Sequence, residues 1–292
     1  MQPGREFVGI LIVGAVSICF ALSNTLAGLA YTGGADPLSV STVRYFLPAL
    51  ILLVVLGSTG KPVRLPRRDA LIACVLGFVT AIYSWSMLAA IEIMPLPLAV
   101  LIFFLFPLIT SFIVVLMGWE KPRLTMIVAA IVAFLGLALA LGVGGATLNP
   151  VGIALAAVGA LGLATVSVVS SRVIRAGDAR QVTLHIVGTT ALIFLAITLL
   201  RGEFPLPNGD AAWWGFVANN FLFAAAIIGY FKGIEMIGPV RTTVFSYIEP
   251  VAAAAAAFLI LGQQLAPLQL VGLLIVTGAL IAAARRPASE RR

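Results

Sequence analysis

Residues 91–107 read IEIMPLPLAVLIFFLFP, and residues 234–250 read IEMIGPVRTTVFSYIEP. The second segment lies 143 positions after the first, and in that register both begin with Ile-Glu and end with a proline, Pro107 and Pro250. A charged residue and a proline that recur together inside apolar sequence indicate an internal repeat. We therefore predict two halves built on the same plan, residues 1–145 and 146–292.

The composition places both halves in a membrane. Hydrophobic residues make up 61% of the 292 residues and charged residues only 10%, whereas soluble domains carry roughly 25% charged residues. Since about 20 mainly apolar residues are needed to cross a bilayer, each long apolar run is a candidate span. These features predict an all-α integral membrane protein with ten transmembrane helices. The runs are 7–30, 38–57, 70–91, 98–117, 124–142, 151–171, 182–200, 211–234, 240–261 and 268–284.

The positions of the basic residues predict the orientation of these spans. With the N-terminus in the cytoplasm, all but two of the eighteen Lys and Arg residues fall in cytoplasmic segments. The exceptions are Arg44, inside a span, and Arg201. By the positive-inside rule, this distribution predicts that both termini are cytoplasmic. The net charge of +7 then reflects membrane topology, and we predict the lipid bilayer as a partner and no nucleic-acid partner.

Five spans in each half have a structural consequence. An odd number forces the second half to enter the membrane from the opposite side, so we predict that the two five-helix repeats are inverted. Inverted repeats are typical of secondary transporters, because exchanging the conformations of two similar halves exposes one site to alternate sides. An old gene duplication without mechanistic consequence is the alternative interpretation.

The repeated segments resemble those of a known family. In each half a short loop leads into a helix that contains a proline. The two copies are Ile91-Glu92-Ile93-Met94-Pro95 with Phe106-Pro107, and Ile234-Glu235-Met236-Ile237-Gly238-Pro239 with Tyr247-Ile248-Glu249-Pro250. In this feature the chain resembles the drug/metabolite transporter superfamily, specifically proteins with two EamA-type domains, and within it the YddG-type exporters of aromatic and other amino acids. We accordingly expect a monomer in the inner membrane of a prokaryote that exports a small-molecule substrate by alternating access through a central cavity.

Two charged residues inside predicted spans are candidate site residues. Glu249 lies near the middle of the run 240–261, where an ionisable side chain costs about 2.5–3.5 kcal/mol on insertion scales and should therefore face the protein interior. Arg44 lies inside the run 38–57 at a comparable depth. Two interpretations stay open: a structural Arg44–Glu249 ion pair, or a site at which Glu249 binds a substrate amine or a proton.

Pro107 and Pro250 predict a bend in the helices that contain them, since proline lacks a backbone N–H and clashes with the carbonyl four residues earlier. Backbone groups freed in this way are tolerated at membrane depth where they line a cavity. We predict a hinge at each proline. Two bent helices that only pack together are the alternative.

Further polar and aromatic residues lie on shared faces of the predicted helices. Ser17 and Asn24 are seven residues apart and so share a face, and Met87 aligns with Tyr230 across the repeat. Aromatic and amphipathic groups that converge from related helices suit an apolar or aromatic amino acid, and ordinary helix packing is the alternative for each. The predicted cavity residues are Ser17, Asn24, Thr80, Tyr83, Trp85, Met87, Phe103, Asn219, Phe223, Tyr230, Ser246 and Glu249.

No motif in the sequence indicates an enzyme. The HExxH, GxSxG and P-loop signatures are absent, and a single histidine leaves little for acid–base chemistry. We predict no enzymatic activity, no cofactor and no metal site. Three alternatives to amino acid export remain: a lipid or lipid-linked sugar flippase of the same fold, a multidrug exporter, and a passive channel.

Overall fold

The computed structural model describes residues 3–119, 124–142, 149–261 and 265–284. These ranges contain helices and no strands. Lys121, Arg123 and the C-terminal arginines, which contributed to the predicted orientation, lie outside the described residues. The helices are α1 (Pro3–Thr32), α2 (Pro37–Ser58), α3 (Arg67–Ile93), α4 (Leu96–Phe103), α5 (Phe106–Leu116), α6 (Leu124–Leu141), α7 (Pro150–Ala176), α8 (Ala179–Arg201), α9 (Asp210–Ile237), α10 (Pro239–Phe245), α11 (Ile248–Leu261) and α12 (Pro267–Ala284).

Nine segments of the described residues are long and apolar enough to cross a membrane. They correspond to nine of the ten predicted spans, with α4 and α5 together forming the fourth. The remaining prediction, 240–261, is divided between α10 with 7 residues and α11 with 14 residues, each shorter than a full span. The prediction of an all-helical protein that crosses the membrane several times is thus confirmed.

Two predicted spans are interrupted, which corrects the expectation of continuous helices over 98–117 and 240–261. The first is divided into α4 and α5, and the second into α10 and α11. The physical cause is proline, because a helix running through Pro107 or Pro250 would press the ring against the carbonyl four residues earlier. Both prolines lie instead in the first turn of a new helix, where backbone N–H groups have no partner within the helix in any case.

Polar residues fix the start of three long helices. Asp36 precedes α2 and accepts a 2.9 Å hydrogen bond from the backbone N–H of Ser39, and Asp178 precedes α8 and accepts a 2.9 Å bond from the N–H of Arg180. Asn149 caps α7 in the same way. Such caps satisfy N–H groups that the first helical turn leaves unpaired, and so define where each helix enters the apolar layer.

Contacts between loops define one end of the bundle, which we call end A. Glu6, near the start of α1, forms a salt bridge with Arg241 of α10. Lys61, which follows α2, lies 2.8 Å from Asp178, which precedes α8. The side chain of Gln181 also donates to the carbonyl of Pro62. The start of α1, the end of α2 and the start of α8 therefore lie at end A.

Side-chain contacts also connect the helix ends at the opposite end of the bundle, which we call end B. Arg201, the last residue of α8, forms a salt bridge with Asp36, which precedes α2. The side chain of Asn149, which precedes α7, donates a 3.2 Å hydrogen bond to the carbonyl of Ile93, the last residue of α3. The ends of α1, α3 and α8 and the starts of α2 and α7 therefore lie at end B.

Glycines allow several helices to pack closely. A β-carbon at Gly233 of α9 would lie 2.5 Å from the side chain of Val13 in α1. One at Gly272 of α12 would lie 2.4 Å from the backbone nitrogen of Ala140 in α6. Small residues that bring backbones together are a common basis of helix association in membranes. They pair α1 with α9 and α6 with α12.

Candidate functional site

Arg44 of α2 is held inside the bundle by residues of α1 and α9. Its Nη2 donates to Asn24 Oδ1 at 2.5 Å and to Ser23 Oγ at 3.2 Å. Its Cζ lies 4.1 Å from the centroid of the Phe223 ring, which is a cation–π geometry. Arg44 is seven residues into α2, about 11 Å along the helix axis. Two hydrogen bonds and an aromatic face therefore stabilise a cation at membrane depth.

The side chain of Asn24 joins Arg44 to Glu249. Asn24 Nδ2 donates to Glu249 Oε1 at 3.0 Å, while Asn24 Oδ1 accepts from the guanidinium of Arg44. No direct salt bridge between Arg44 and Glu249 occurs among the described residues. In place of the direct ion pair, which was one of the two interpretations left open, the structure has a bridge through an amide, because an amide offers an acceptor on one side and donors on the other.

Ser23 and Asn219 extend this cluster to α9. Ser23 Oγ lies 2.7 Å from Asn219 Oδ1 and 3.1 Å from the backbone carbonyl oxygen of Asn219, and both oxygens accept from the hydroxyl. The buried Nδ2 of Asn219 and the buried Nε of Arg44 have no hydrogen-bond partner. Since buried polar groups are normally hydrogen-bonded, two unpartnered donors in one cluster mark a place that suits an acceptor group.

The cluster is accessible at one point. The side chain of Asn24 is exposed, whereas Ser23 and Asn219 are fully buried and Arg44 and Glu249 are partly buried. Asn24 lies eight residues before the end of α1, about 12 Å along the helix axis. Its amide contacts Arg44 of α2 and Glu249 of α11, so an exposed side chain joins the two charged groups at membrane depth.

Four aromatic rings pack together beside Arg44. Phe223 packs edge-on against Phe20 and Tyr45, with ring centroids 5.6 and 5.3 Å away. Phe20 also contacts Tyr230, with centroids 6.4 Å apart. The hydroxyl of Tyr230 lies 2.7 Å from Ser167 Oγ of α7. These four rings, which we call the aromatic wall, combine apolar surface with hydroxyl groups that already have partners.

The structure brings together only part of the predicted cavity. Tyr83 is buried in the same apolar cluster as Phe223 and Tyr230. Met87 and Phe103 pack against other apolar side chains, Met87 beside Ala90 and Phe103 against α7. The predicted residues in or beside the polar cluster are Asn24, Asn219, Phe223, Tyr230 and Glu249.

Three hydroxyl residues of the prediction use their polar atoms within their own helices. Ser17 donates to the carbonyl of Val13 at 2.9 Å, and Thr80 donates to that of Leu76 at 2.8 Å. Ser246, just after α10, donates to the carbonyl of Thr242 at 3.0 Å. Bonds of this local kind are common for Ser and Thr in helices and do not by themselves indicate a ligand.

Trp85 lies on the surface of the bundle. It is 55% exposed and is in line with other exposed apolar residues of α3. Residues spaced by three and four positions lie on one helix face, so this stripe faces outward. The structure therefore places Trp85 away from the polar cluster, contrary to its assignment as a cavity residue. The other members of the stripe are Leu71, Val75, Phe78 and Ile82.

The prediction missed one residue of the polar cluster, Ser23. It also missed Phe20 and Tyr45 of the aromatic wall, and Ser167, the hydrogen-bond partner of Tyr230. Ser167 could have been identified from the repeat, because it lies 143 positions after Asn24 and so occupies the equivalent place in the second half. Tyr45 directly follows Arg44 in the sequence. No pattern distinguishes Phe20 from other phenylalanines in an apolar helix.

A helical membrane protein whose polar cluster lies between helices at membrane depth has the architecture of a carrier. The chain belongs to the EamA-like transporter family, whose model matches residues 7–142 and again residues 150–284. This match confirms the prediction of two EamA repeats. Since the family consists of transporters and not of enzymes, the protein is assigned to membrane transport of small molecules.

The similarity to other proteins concerns the fold. A protein solved by crystallography superposes with a TM-score of 0.82 over 95% of this chain and 96% of its own. The two sequences are 20% identical, so the comparison supports a shared architecture and does not identify a substrate. No curated protein matches the sequence.

Proposed function

We propose that the protein is a secondary transporter that exports aromatic and other amino acids. The observation that carries the proposal is the bridge through Asn24. One exposed side chain holds a cation, Arg44, on one side and an anion, Glu249, on the other. An amino acid at neutral pH carries an ammonium and a carboxylate, and the adjacent aromatic wall suits an apolar or aromatic side chain.

We propose alternating access between two inverted repeats as the mechanism. The support comes from helices at equivalent repeat positions, α1 and α7. Contacts of Glu6 and Asp36 imply that α1 runs from end A to end B, whereas contacts of Asn149 and Asp178 imply that α7 runs from end B to end A. Opposed directions are what inverted repeats require, and exchanging their conformations would change the side to which the central cavity opens.

We also propose that end A faces the cytoplasm of a prokaryotic cell, with the protein in the inner membrane and both termini inside. The positive-inside rule supports this orientation, because the basic residues gather at one end. Arg201 is at end B. A monomer in the bilayer, with a small-molecule substrate and no cofactor or nucleic-acid partner, completes the proposal. The described basic residues nearest end A are Arg5, Arg64, Arg67, Arg68, Arg172, Arg175, Arg180 and Arg241, together with Lys61 and Lys232.

Purified protein in liposomes tests the proposal. We expect labelled phenylalanine and threonine to cross these membranes faster than membranes of empty liposomes. A labelled lipid analogue and a lipophilic drug cation serve as rival substrates in the same vesicles. Trp85→Ala, a change on the outer face of α3, should transport at the wild-type rate. Failure of a broad amino-acid panel would remove this substrate class, and lipid movement in the same vesicles would favour a flippase.

A further inference from the structure

We infer that Arg44, Ser23 and Asn219 form a carboxylate-binding subsite, and that the Asn24 amide makes the two contacts that a bound α-amino acid would make. This inference rests on the proposed function and deepens it. It restricts the substrate class to compounds with both a carboxylate and an ammonium group. It also assigns Asn219 as a residue that determines specificity. Asn24 is assigned as the side chain that makes the ligand's contacts with Arg44 and Glu249 when no ligand is bound.

Ser23 links the two side chains that carry the free donors of the subsite. Ser23 Oγ lies 3.2 Å from Arg44 Nη2 and 2.7 Å from Asn219 Oδ1, so it holds both side chains together. Asn219 is 0% exposed, and its Nδ2 has no partner. Arg44 Nε is also buried and without a partner. Two unsatisfied donors thus flank the hydrogen bond that Arg44 gives to Asn24.

A carboxylate satisfies these donors better than Asn24 does. The amide of Asn24 presents one oxygen to Arg44, whereas a carboxylate presents two oxygens with about four lone-pair sites. Arginine binds carboxylates through two parallel bonds, and charge-assisted bonds are roughly twice as strong as neutral ones. A carboxylate that replaces the Asn24 oxygen can therefore retain the bond to Nη2 and also reach Arg44 Nε or Asn219 Nδ2.

The opposite side of Asn24 favours an ammonium group. Asn24 Nδ2 donates one 3.0 Å bond to Glu249 and carries no charge. A substrate ammonium supplies three donors and a positive charge next to the carboxylate. A neutral amide leaves Arg44 and Glu249 each without an opposite charge in direct contact. A zwitterion provides an opposite charge to both residues. A simple acid provides one only to Arg44, and a simple amine only to Glu249.

The position of Asn219 on α9 orients the substrate toward the aromatic wall. Asn219 and Phe223 are four residues apart and so lie on the same face of the helix. Arg44 stacks on Phe223, one turn from Asn219. A carboxylate bound between Arg44 and Asn219 therefore lies near the ring of Phe223, which packs against Phe20 and Tyr45 of the aromatic wall.

Ligand-induced thermal stabilisation of the purified protein tests the subsite. The probes are phenylalanine, 3-phenylpropionate, which lacks the amine, and phenethylamine, which lacks the carboxylate. Asn219→Leu removes the donor, while Ser23 keeps the backbone carbonyl of residue 219 as an acceptor. Asn219→Asp removes the same donor with nearly unchanged shape and adds a negative charge, which repels a carboxylate. Asn220→Leu is the matched control, since Asn220 Nδ2 bonds the carbonyl of Phe216 in its own helix.

In both Asn219 variants we expect the affinity for phenylalanine and phenylpropionate to fall about tenfold or more, as loss of a hydrogen bond to a charged group predicts. The affinity for phenethylamine should not fall in either Asn219 variant, and Asn220→Leu should bind all three as the wild type does. Asn24→Ala should bind phenylalanine more tightly, because no internal ligand has to leave.

The outcomes separate the subsite from the proposed function. Stabilisation by phenylalanine that neither Asn219 variant weakens would overturn the subsite and leave amino acid transport standing. Equal weakening of all three probes would also overturn the subsite, because it would show a general packing effect. If none of the three probes stabilises the wild type, and labelled amino acids do not cross its liposomes, both the subsite and the proposed function are contradicted.

Discussion

The hydroxyl of Tyr247 donates a 2.8 Å hydrogen bond to the backbone carbonyl of Phe104, the residue 143 positions earlier in the sequence. The rings of the two residues also pack, with centroids 5.6 Å apart. Phe104 follows the end of α4, and Tyr247 precedes the start of α11. The two helix breaks therefore lie at equivalent positions of the repeat and contact each other.

Tyr247→Phe should lower the melting temperature while leaving the fold intact. The change keeps the ring and removes the hydroxyl, so the buried carbonyl of Phe104 loses its donor, at a cost of about 1–3 kcal/mol. Tyr31→Phe is the control, because Tyr31 is 37% exposed. Equal melting temperatures for Tyr247→Phe and the wild type would show that the contact between the breaks contributes nothing to stability.

Gly272→Ala should destabilise the pairing of α6 with α12. A β-carbon there would lie 2.5 Å from the backbone oxygen of Gly136, and a backbone atom of a packed helix cannot move aside as a side chain can. Overpacking of this kind costs about 1–3 kcal/mol. Gly278→Ala, on the same helix, is the matched control, since nothing lies within 4 Å of its added carbon.

Thermal unfolding in one detergent compares the two glycine variants. Gly278→Ala should match or exceed the wild type, because alanine is favoured over glycine in a helix. If both variants melt at the wild-type temperature, α6 and α12 do not pack as closely as the structure indicates.

Asp178→Asn should weaken the contact at end A in a pH-dependent way. Hydrogen bonds from Arg180 and from Lys61, opposed by partial burial, hold the pKa of the Asp178 carboxyl well below its usual range. A carboxyl whose pKa is lowered by folding contributes stability above its unfolded pKa, and this contribution is lost as the pH falls through the folded pKa. Asparagine can still cap α8, so the variant isolates the charge.

At pH 7 we expect Asp178→Asn to be less stable than the wild type by about 1 kcal/mol, since the pair is partly exposed. In melting temperatures measured from pH 7 down to pH 3, the difference should begin to narrow below about pH 4, the ordinary range for aspartate, and should still be present at pH 3 because the folded-state pKa lies lower. Asp210→Asn, at an exposed position, is the control variant. A difference that widens on acidification would contradict this assignment.

The sequence predicted which segments cross the membrane because the length of an apolar run measures the thickness it can span. It did not predict where the fourth and ninth spans break, since the residues around Phe104 are as apolar as those of a continuous helix, and those around Tyr247 contain no glycine or proline before Pro250. The prolines marked these two spans, and the breaks lie just before them.

For the site, the cost of a charge at membrane depth pointed to Arg44 and Glu249, and both lie in the cluster. Their connection through Asn24 could not be read from the sequence. Which side chains meet depends on the rotation of each helix about its axis, and helices that are apolar all round do not fix that rotation. The same uncertainty explains why Trp85, which faces outward, was taken for a cavity residue.

Glu249→Gln separates the two interpretations of the charged residues. Arg44 retains Asn24, Ser23 and the Phe223 ring when the charge of Glu249 is removed. We therefore expect the variant to express and melt as the wild type does. Loss of a hydrogen bond to a charged group of the substrate should nevertheless reduce transport by about tenfold or more.

The most direct measurement is the initial rate of labelled phenylalanine uptake into liposomes that contain equal amounts of folded wild-type or Glu249→Gln protein. The proposed site predicts uptake by the wild type and a large loss in the variant, with unchanged melting temperature. Early melting that Arg44→Gln rescues would instead indicate a structural ion pair, whose disruption costs about 3–5 kcal/mol. Equal uptake by two stable proteins would contradict a transport site at Glu249.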